Sequence, residues 1–203
     1  MNRLVSMIGA VIVTLTVFLF ALFLIIDYPF ASYFVCMLLP IGYIMTAAGF
    51  QHECAKERKV SANIGLIFAA VYAVLILLVY FAQTTTVRLE DITEQAEKLL
   101  DYRKGSLLFN YDLLGYGMMA LSTFFIGLSV KADSKSDKWL KYLMMIHGIF
   151  FLSCFIMPMT GIFANMGNGN GGKGGTMALL IWCAYFFPIG ILSYRHFAKG
   201  KNE

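Results

Sequence analysis

Charged side chains are sparse: Asp, Glu, Lys and Arg supply 14% of the 203 residues, against 59% hydrophobic. So small a polar fraction, with a mean hydropathy of +0.71, cannot clothe the surface of a water-soluble core. Histidine is rare too, at three residues. His52 and His196 fall at the ends of apolar runs, and His147 alone lies deep inside one. A membrane zinc hydrolase needs three or more ligands at similar depth, so that chemistry is excluded. Neither a G-x-S-x-G elbow nor an H-E-x-x-H pair occurs, and Ser122 and Ser153 have no base in view beyond the same lone histidine. Cys36, Cys54, Cys154 and Cys183 show no metal or disulfide spacing and read as small buried side chains. There is no Asn-x-Ser/Thr acceptor or lipidation signal.

What is there is a series of oily runs. A span needs ~20 apolar residues to cross a ~30 Å hydrocarbon core, and six segments qualify: 4–26, 30–50, 62–81, 106–130, 139–160 and 176–194. The first begins like a signal peptide, but its apolar run is roughly twice the usual length and lacks an A-x-A exit, so it is expected to remain as a span. The expected fold is all-α, a polytopic membrane protein forming one six-transmembrane-helix bundle over residues 1–203. Six spans put both termini on one side. Sorting Lys and Arg by alternate loops gives eleven on that side and five on the other. By the positive-inside rule both termini are therefore expected in the cytoplasm, with the protein in the plasma membrane. The net charge of +4 sits in short loop clusters and reads as an orientation signal, not as a nucleic-acid surface. Tyr28 and Tyr33 are expected at the outer boundary, and Trp139, Tyr142 and Tyr194 at the inner one.

The long polar segment between spans three and four places Leu89, Ile92, Ala96, Leu99 and Leu100 at helical spacing opposite five acidic residues. It predicts an amphipathic outer helix over 86–104. Because its polar face is slightly acidic and a lipid anchor is usually basic, it is expected to cap the bundle mouth. In the third span Ser61, Gly65, Ala69 and Ala73 form a small-residue stripe that lets a neighbour approach closely, which argues for a central third helix. The tripeptide PIG recurs at Pro40 and Pro188 and predicts similar kinks, without marking an inverted repeat.

The candidate chemistry centres on Asp112. A carboxylate at the bilayer centre costs ~2.5 to 3.5 kcal/mol on insertion scales, so it must face protein or water. Counting from Leu107 puts Asp112 roughly 8 Å below the outer edge of the core, deep enough to need a partner and shallow enough to reach water. It shares a helix face with Gly115, Met119, Ser122 and Ser129, and that face is expected to look inward. One reading gives it a binding role for a cation, proton or amine, with Asn110, Gln83, Tyr116 and His147 as further candidates. The other bonds it to the backbone or to a nearby Tyr or Gln, holding the fourth helix in place. His147 is expected ~10 Å from Asp112 along the membrane normal, too far for direct contact, and most simply serves as a neutral link to a neighbouring helix.

The cluster FQHECAKERK around His52, Glu53 and Cys54 reads as a solvated helix end. The glycine-rich stretch from Asn165 is a near miss for a phosphate loop: Gly174 stands where Ser or Thr should hold magnesium. It is expected to be an outer linker or gate. No cofactor, metal or nucleic acid is expected. The partners are the lipid bilayer, a small solute or lipid ligand, and a membrane protein partner. The leading expectation is a non-enzymatic membrane protein that binds or moves a small solute, proton or lipid through an outer cavity at Asp112. The alternative is a structural, sensing or accessory subunit that engages a partner through its outer helix and glycine loop. An intramembrane enzyme using His147 with Asp112 ranks third, because the depths disagree and further ligands are missing.

Overall fold

In the computed structural model, residues 1–89, 91–102, 105–161 and 171–199 are described, the last segment with side chains from 175 onward. These residues are helical in α1 (Asn2–Ile25), α2 (Pro29–Glu53), α3 (Lys59–Thr84), α4 (Thr86–Leu89), α5 (Glu94–Leu100), α6 (Leu107–Ser129), α7 (Lys135–His147), α8 (Phe150–Met159) and α9 (Gly171–Ala198), with a single 3-10 turn at Lys56–Arg58. Six helical segments among them are long and apolar enough to cross a membrane, counting α7 and α8 as one. The chain is therefore all-helical with the make-up of a multi-pass membrane protein.

Local chemistry sets the boundaries. Asp27 takes a left-handed φ of 52°, a conformation Asp tolerates better than most residues, and Pro29 then opens α2 where its missing N–H costs nothing. Ser106 caps α6 by accepting from the Phe109 N–H at 3.1 Å. Ser134 and Asp137 form a reciprocal capping box at the start of α7.

Neighbours in sequence pack as neighbours in space: α1 on α2, α2 on α3, α3 on α6, α6 on α7 and α8, α7 on α9, and α9 back on α1. The spans thus close a ring in chain order. The start of α1 and the end of α9 meet at one end of it, where Asn2 Nδ2 lies 3.1 Å from His52 Nε2 and His196 Nε2 lies 3.5 Å from Glu53 Oε2. The opposite, cap end carries α4 and α5. Inside the ring, aromatic side chains from four helices meet: Tyr43 with Tyr72 at 5.7 Å between ring centres, Tyr72 with Tyr116 at 5.8 Å, Tyr116 with Trp182 at 5.1 Å, and Trp182 stacked on Phe186 at 5.1 Å.

Several expectations are corrected here. The small-residue stripe of α3 does pack on α6: Ser61 Oγ donates to the Phe125 carbonyl at 2.8 Å, and a Cβ on Gly65 would stand 2.7 Å from Ile126 Cγ1. Yet α3 is a member of the ring and not its centre; 39% of its span is buried, against 61% for α6. A stripe of small residues reports one close neighbour, and enclosure needs several. The outer segment is two short helices instead of one over 86–104, separated at 91–93. Thr93 has extended backbone and caps α5 from outside, its hydroxyl accepting from the Ala96 N–H at 3.3 Å. The fifth span also breaks, between His147 and Phe150, and the break falls at Gly148, not at Pro158. Its N–H bonds run back three residues, from Gly148 to Met145 at 3.2 Å and from Ile149 to Ile146 at 3.0 Å. A Cβ on Gly148 would lie 2.8 Å from Phe124 Cβ, so glycine here lets α6 approach at the joint. The glycine-rich gate falls largely outside the described residues.

Candidate functional site

Asp112 enters the ring from the second turn of α6 and is 2% exposed. Its helix face is the enclosed one, since Gly115, Met119, Ser122 and Ser129 are all buried. One carboxylate oxygen, Oδ2, accepts a hydrogen bond from the Tyr102 hydroxyl at 2.5 Å. The other, Oδ1, is buried without a hydrogen-bond partner, and among the described residues no Lys, Arg or His pairs with the group. The expectation that Asp112 reaches water is therefore corrected: Tyr102, at the end of the cap, seals it. Burial and then the Asp112 charge push the Tyr102 phenol well above its usual range, so it stays a donor.

Tyr102 is in turn clamped by Gln83 at the end of α3. Gln83 Oε1 accepts from the Tyr102 N–H at 3.1 Å, and Gln83 Nε2 donates to the Leu100 carbonyl at 2.6 Å. Gln83 is 4% exposed, so one buried amide satisfies two backbone groups of the cap. Elsewhere in the cap Leu89 and Leu99 are exposed, Leu100 packs against the core, and the Arg88 guanidinium sits 4.3 Å above the Phe30 ring.

Three phenol rings cover the acid. Tyr33 and Tyr80 stack at 5.5 Å, Tyr80 and Tyr102 at 6.0 Å, and Tyr33 and Tyr102 meet at 5.8 Å. Tyr33 thus turns into the bundle, contrary to its expected place at the lipid boundary, while Trp139 and Tyr142 are exposed on the outside of the ring. Below lies Cys36, 1% exposed, its Sγ 3.9 Å from the Tyr116 hydroxyl. Tyr72, wholly buried, has a hydroxyl with no hydrogen-bond partner.

His147 belongs to a second assembly, deeper in the ring and 1% exposed. Trp182 Nε1 donates to its Nε2 at 3.1 Å. An indole N–H can only donate, so Nε2 carries the lone pair, Nδ1 carries the proton, and the ring is neutral. Nδ1 is 2.7 Å from Thr123 Oγ1. Both nitrogens are satisfied, and histidine here ties α7 to α6 and α9. No bond joins His147 to Asp112; the contact between them runs through Tyr116, whose ring meets Trp182 and whose hydroxyl meets Cys36.

Of the expected residues, the structure brings Gln83 to Asp112 through Tyr102 and puts Tyr116 between the two polar assemblies. Asn110 does not join them. It lies two residues from Asp112, about 200° around the helix, and is half-buried. Tyr33, Tyr80, Tyr102 and Cys36 were not read as site residues from the sequence. A signal for Tyr80 existed: carrying the α3 stripe on from Ala73 by steps of three and four reaches Ile76, Tyr80 and Gln83, all buried. No comparable pattern marks Tyr102.

The terminal end holds a cluster that sequence reading dismissed. His196 Nδ1 is 2.9 Å from Asp137 Oδ1, and its Nε2 is 3.5 Å from Glu53 Oε2. Lys199 Nζ donates to Ser134 Oγ at 2.6 Å and lies 3.6 Å from Asp137 Oδ2. Glu53, with His52, is exposed at the end of α2, as a solvated helix end should be, and it also joins a junction of α2, α7 and α9. Among the described residues no group of three or more His, Cys, Asp or Glu side chains has the arrangement of a metal site.

No protein-family model, curated protein or solved structure matches the chain.

Proposed function

We propose that this chain is a non-enzymatic integral membrane protein that binds, and hands across the bilayer, a small solute or proton at Asp112. In this reading both termini are cytoplasmic, as the excess of basic residues at the terminal end favours, and the cap lies outside. The observation that carries it is the state of the acid. A carboxylate 2% exposed, with one oxygen unpartnered, has an unbalanced cost of several kcal/mol that a bound cation or proton removes. Most buried side-chain oxygens have a hydrogen-bond partner, and Asp112 Oδ1 has none.

The bond to Tyr102 supports a second reading, in which Asp112 only fastens the cap and the cap engages a protein partner. Flux separates the two. In liposomes containing the reconstituted protein and an internal pH dye, the wild type conducts protons or exchanges them for solute, and Asp112→Asn lowers that flux at least about tenfold, as loss of a required charge should. Equal flux from the two proteins rejects the binding reading.

A further inference from the structure

We infer that the solute recognised at Asp112 is a small organic cation, an ammonium whose charge meets the carboxylate and whose carbon groups meet the faces of Tyr33 and Tyr80. The inference rests on the proposed binding role of Asp112 and names the chemistry that fits the site.

Each alternative class fails on what surrounds the acid. An anion would meet a carboxylate. A neutral solute would gain no charge attraction from the acid, and among the described residues no cation pairs with it. Calcium or magnesium wants about six hard oxygen ligands, and zinc wants three or four His, Cys or acidic ligands, a grouping not found among the described residues. Among the described residues the acids near the rings are Asp112 and, toward Tyr33, the half-buried Asp101, too few for such a shell, and the other neighbours of Asp112 are phenols and a thiol.

What the site supplies in quantity is aromatic face. A ring face attracts a cation most strongly when both are desolvated, and it favours an ammonium clothed in carbon over a tightly hydrated ion. The three rings close a triangle with centres 5.5 to 6.0 Å apart, and in this closed form they lie against one another. Two of them belong to long helices, Tyr33 to α2 and Tyr80 to α3. The third, Tyr102, belongs to the cap and is held by its hydroxyl on Asp112 and its N–H on Gln83. Turning Tyr102 aside uncovers the Tyr33 and Tyr80 faces together with both carboxylate oxygens. The cation then replaces the Tyr102 hydroxyl as the partner of Oδ2 and supplies the partner that Oδ1 lacks.

The test uses choline and its uncharged isostere 3,3-dimethylbutan-1-ol, titrated calorimetrically into the full chain in detergent. Choline is expected to bind at least about tenfold more tightly than the isostere. Asp112→Asn should abolish that preference, and Tyr80→Leu should weaken choline about three- to thirtyfold, the range of a cation–π contact. Tyr102→Phe keeps the ring and removes its hydrogen bond to Asp112, so it should bind choline at least as tightly as the wild type. That variant keeps the inference testable if a cruder one fails to fold. Equal binding of choline and isostere overturns the inference. So does absence of choline binding while Asp112-dependent proton flux persists, a result that leaves the proposed function standing. Choline binding unchanged in Asp112→Asn overturns the assignment of the site, and loss of both choline binding and Asp112-dependent flux overturns both readings.

Discussion

Asp112 and His147 are both buried polar residues, but their surroundings ask opposite things of them. His147 has a partner for each ring nitrogen, Thr123 on one side and Trp182 on the other, and nothing remains for a ligand to satisfy. Replacing Trp182 by Phe keeps the stacking surface and strips the indole donor, leaving the His147 Nε2 lone pair buried and alone. We expect Trp182→Phe to cost about 1 to 3 kcal/mol, read as a lower melting temperature in detergent, with Asp112-dependent flux retained. An unchanged melting temperature would show that the bond contributes nothing. Both residues stood out in the sequence because a polar side chain in an oily run needs a reason. The reasons themselves were not legible. Tyr102 is ten positions from Asp112 and reaches it because the cap folds back over α6, a contact that no helical period encodes. Gln83 was singled out as a polar residue near the outer mouth, and its work turns out to be on the Leu100 and Tyr102 backbone.

At the scale of elements, apolar length was the reliable signal. Six runs of about the right length became six helical spans because an isolated helix satisfies its own backbone bonds. Interruptions were harder to read. Pro40, Pro158 and Pro188 all sit inside helices, while the actual break occurs at Gly148, where close packing against Phe124 decides the path of the chain. Two glycine replacements separate packing from propensity. A Cβ on Gly148 would come within 2.8 Å of Phe124 Cβ, whereas one on Gly117 would meet Cys154 Cβ at an ordinary 3.4 Å. Gly148→Ala should therefore destabilise by about 1 to 3 kcal/mol, while Gly117→Ala should be neutral or stabilise by up to about 1 kcal/mol, because alanine is the better helix former. Thermal melting of the two purified variants checks both, and the opposite ranking would contradict the packing at the joint.

Across the whole molecule the ring is fastened differently at its two ends. The terminal end is tied by ionic and capping groups: His196 bridges Glu53 and Asp137, and Lys199 reaches Ser134 and Asp137. Asp137 serves three of these contacts at once, as cap, as ion partner of His196 and as neighbour of Lys199. Asp137→Ala should lower stability by about 1 to 3 kcal/mol, the sum of a lost cap and a lost charged hydrogen bond. Melting of the variant at the wild-type temperature would mean the junction is ornamental. The sequence placed these charges on the loops but gave no hint that α2, α7 and α9 end together, since their meeting depends on closure of the ring. At the cap end, Tyr102 and Gln83 join the cap to α6 and α3, and Leu100 and Tyr102 pack against the core. In the proposed function the site is entered from the cap end, where Tyr102 covers Asp112.

The most direct test of that arrangement is the reactivity of the Asp112 carboxyl itself. Treatment of the reconstituted protein with dicyclohexylcarbodiimide, followed by peptide mass spectrometry, reads how often the acid is uncovered. Slow modification of Asp112 in the wild type, at least about tenfold faster modification in Tyr102→Phe, where one charge-assisted hydrogen bond is lost, and protection of both by choline are the results expected. Equal rates in the wild type and Tyr102→Phe would contradict a sealed acid released by its tyrosine latch.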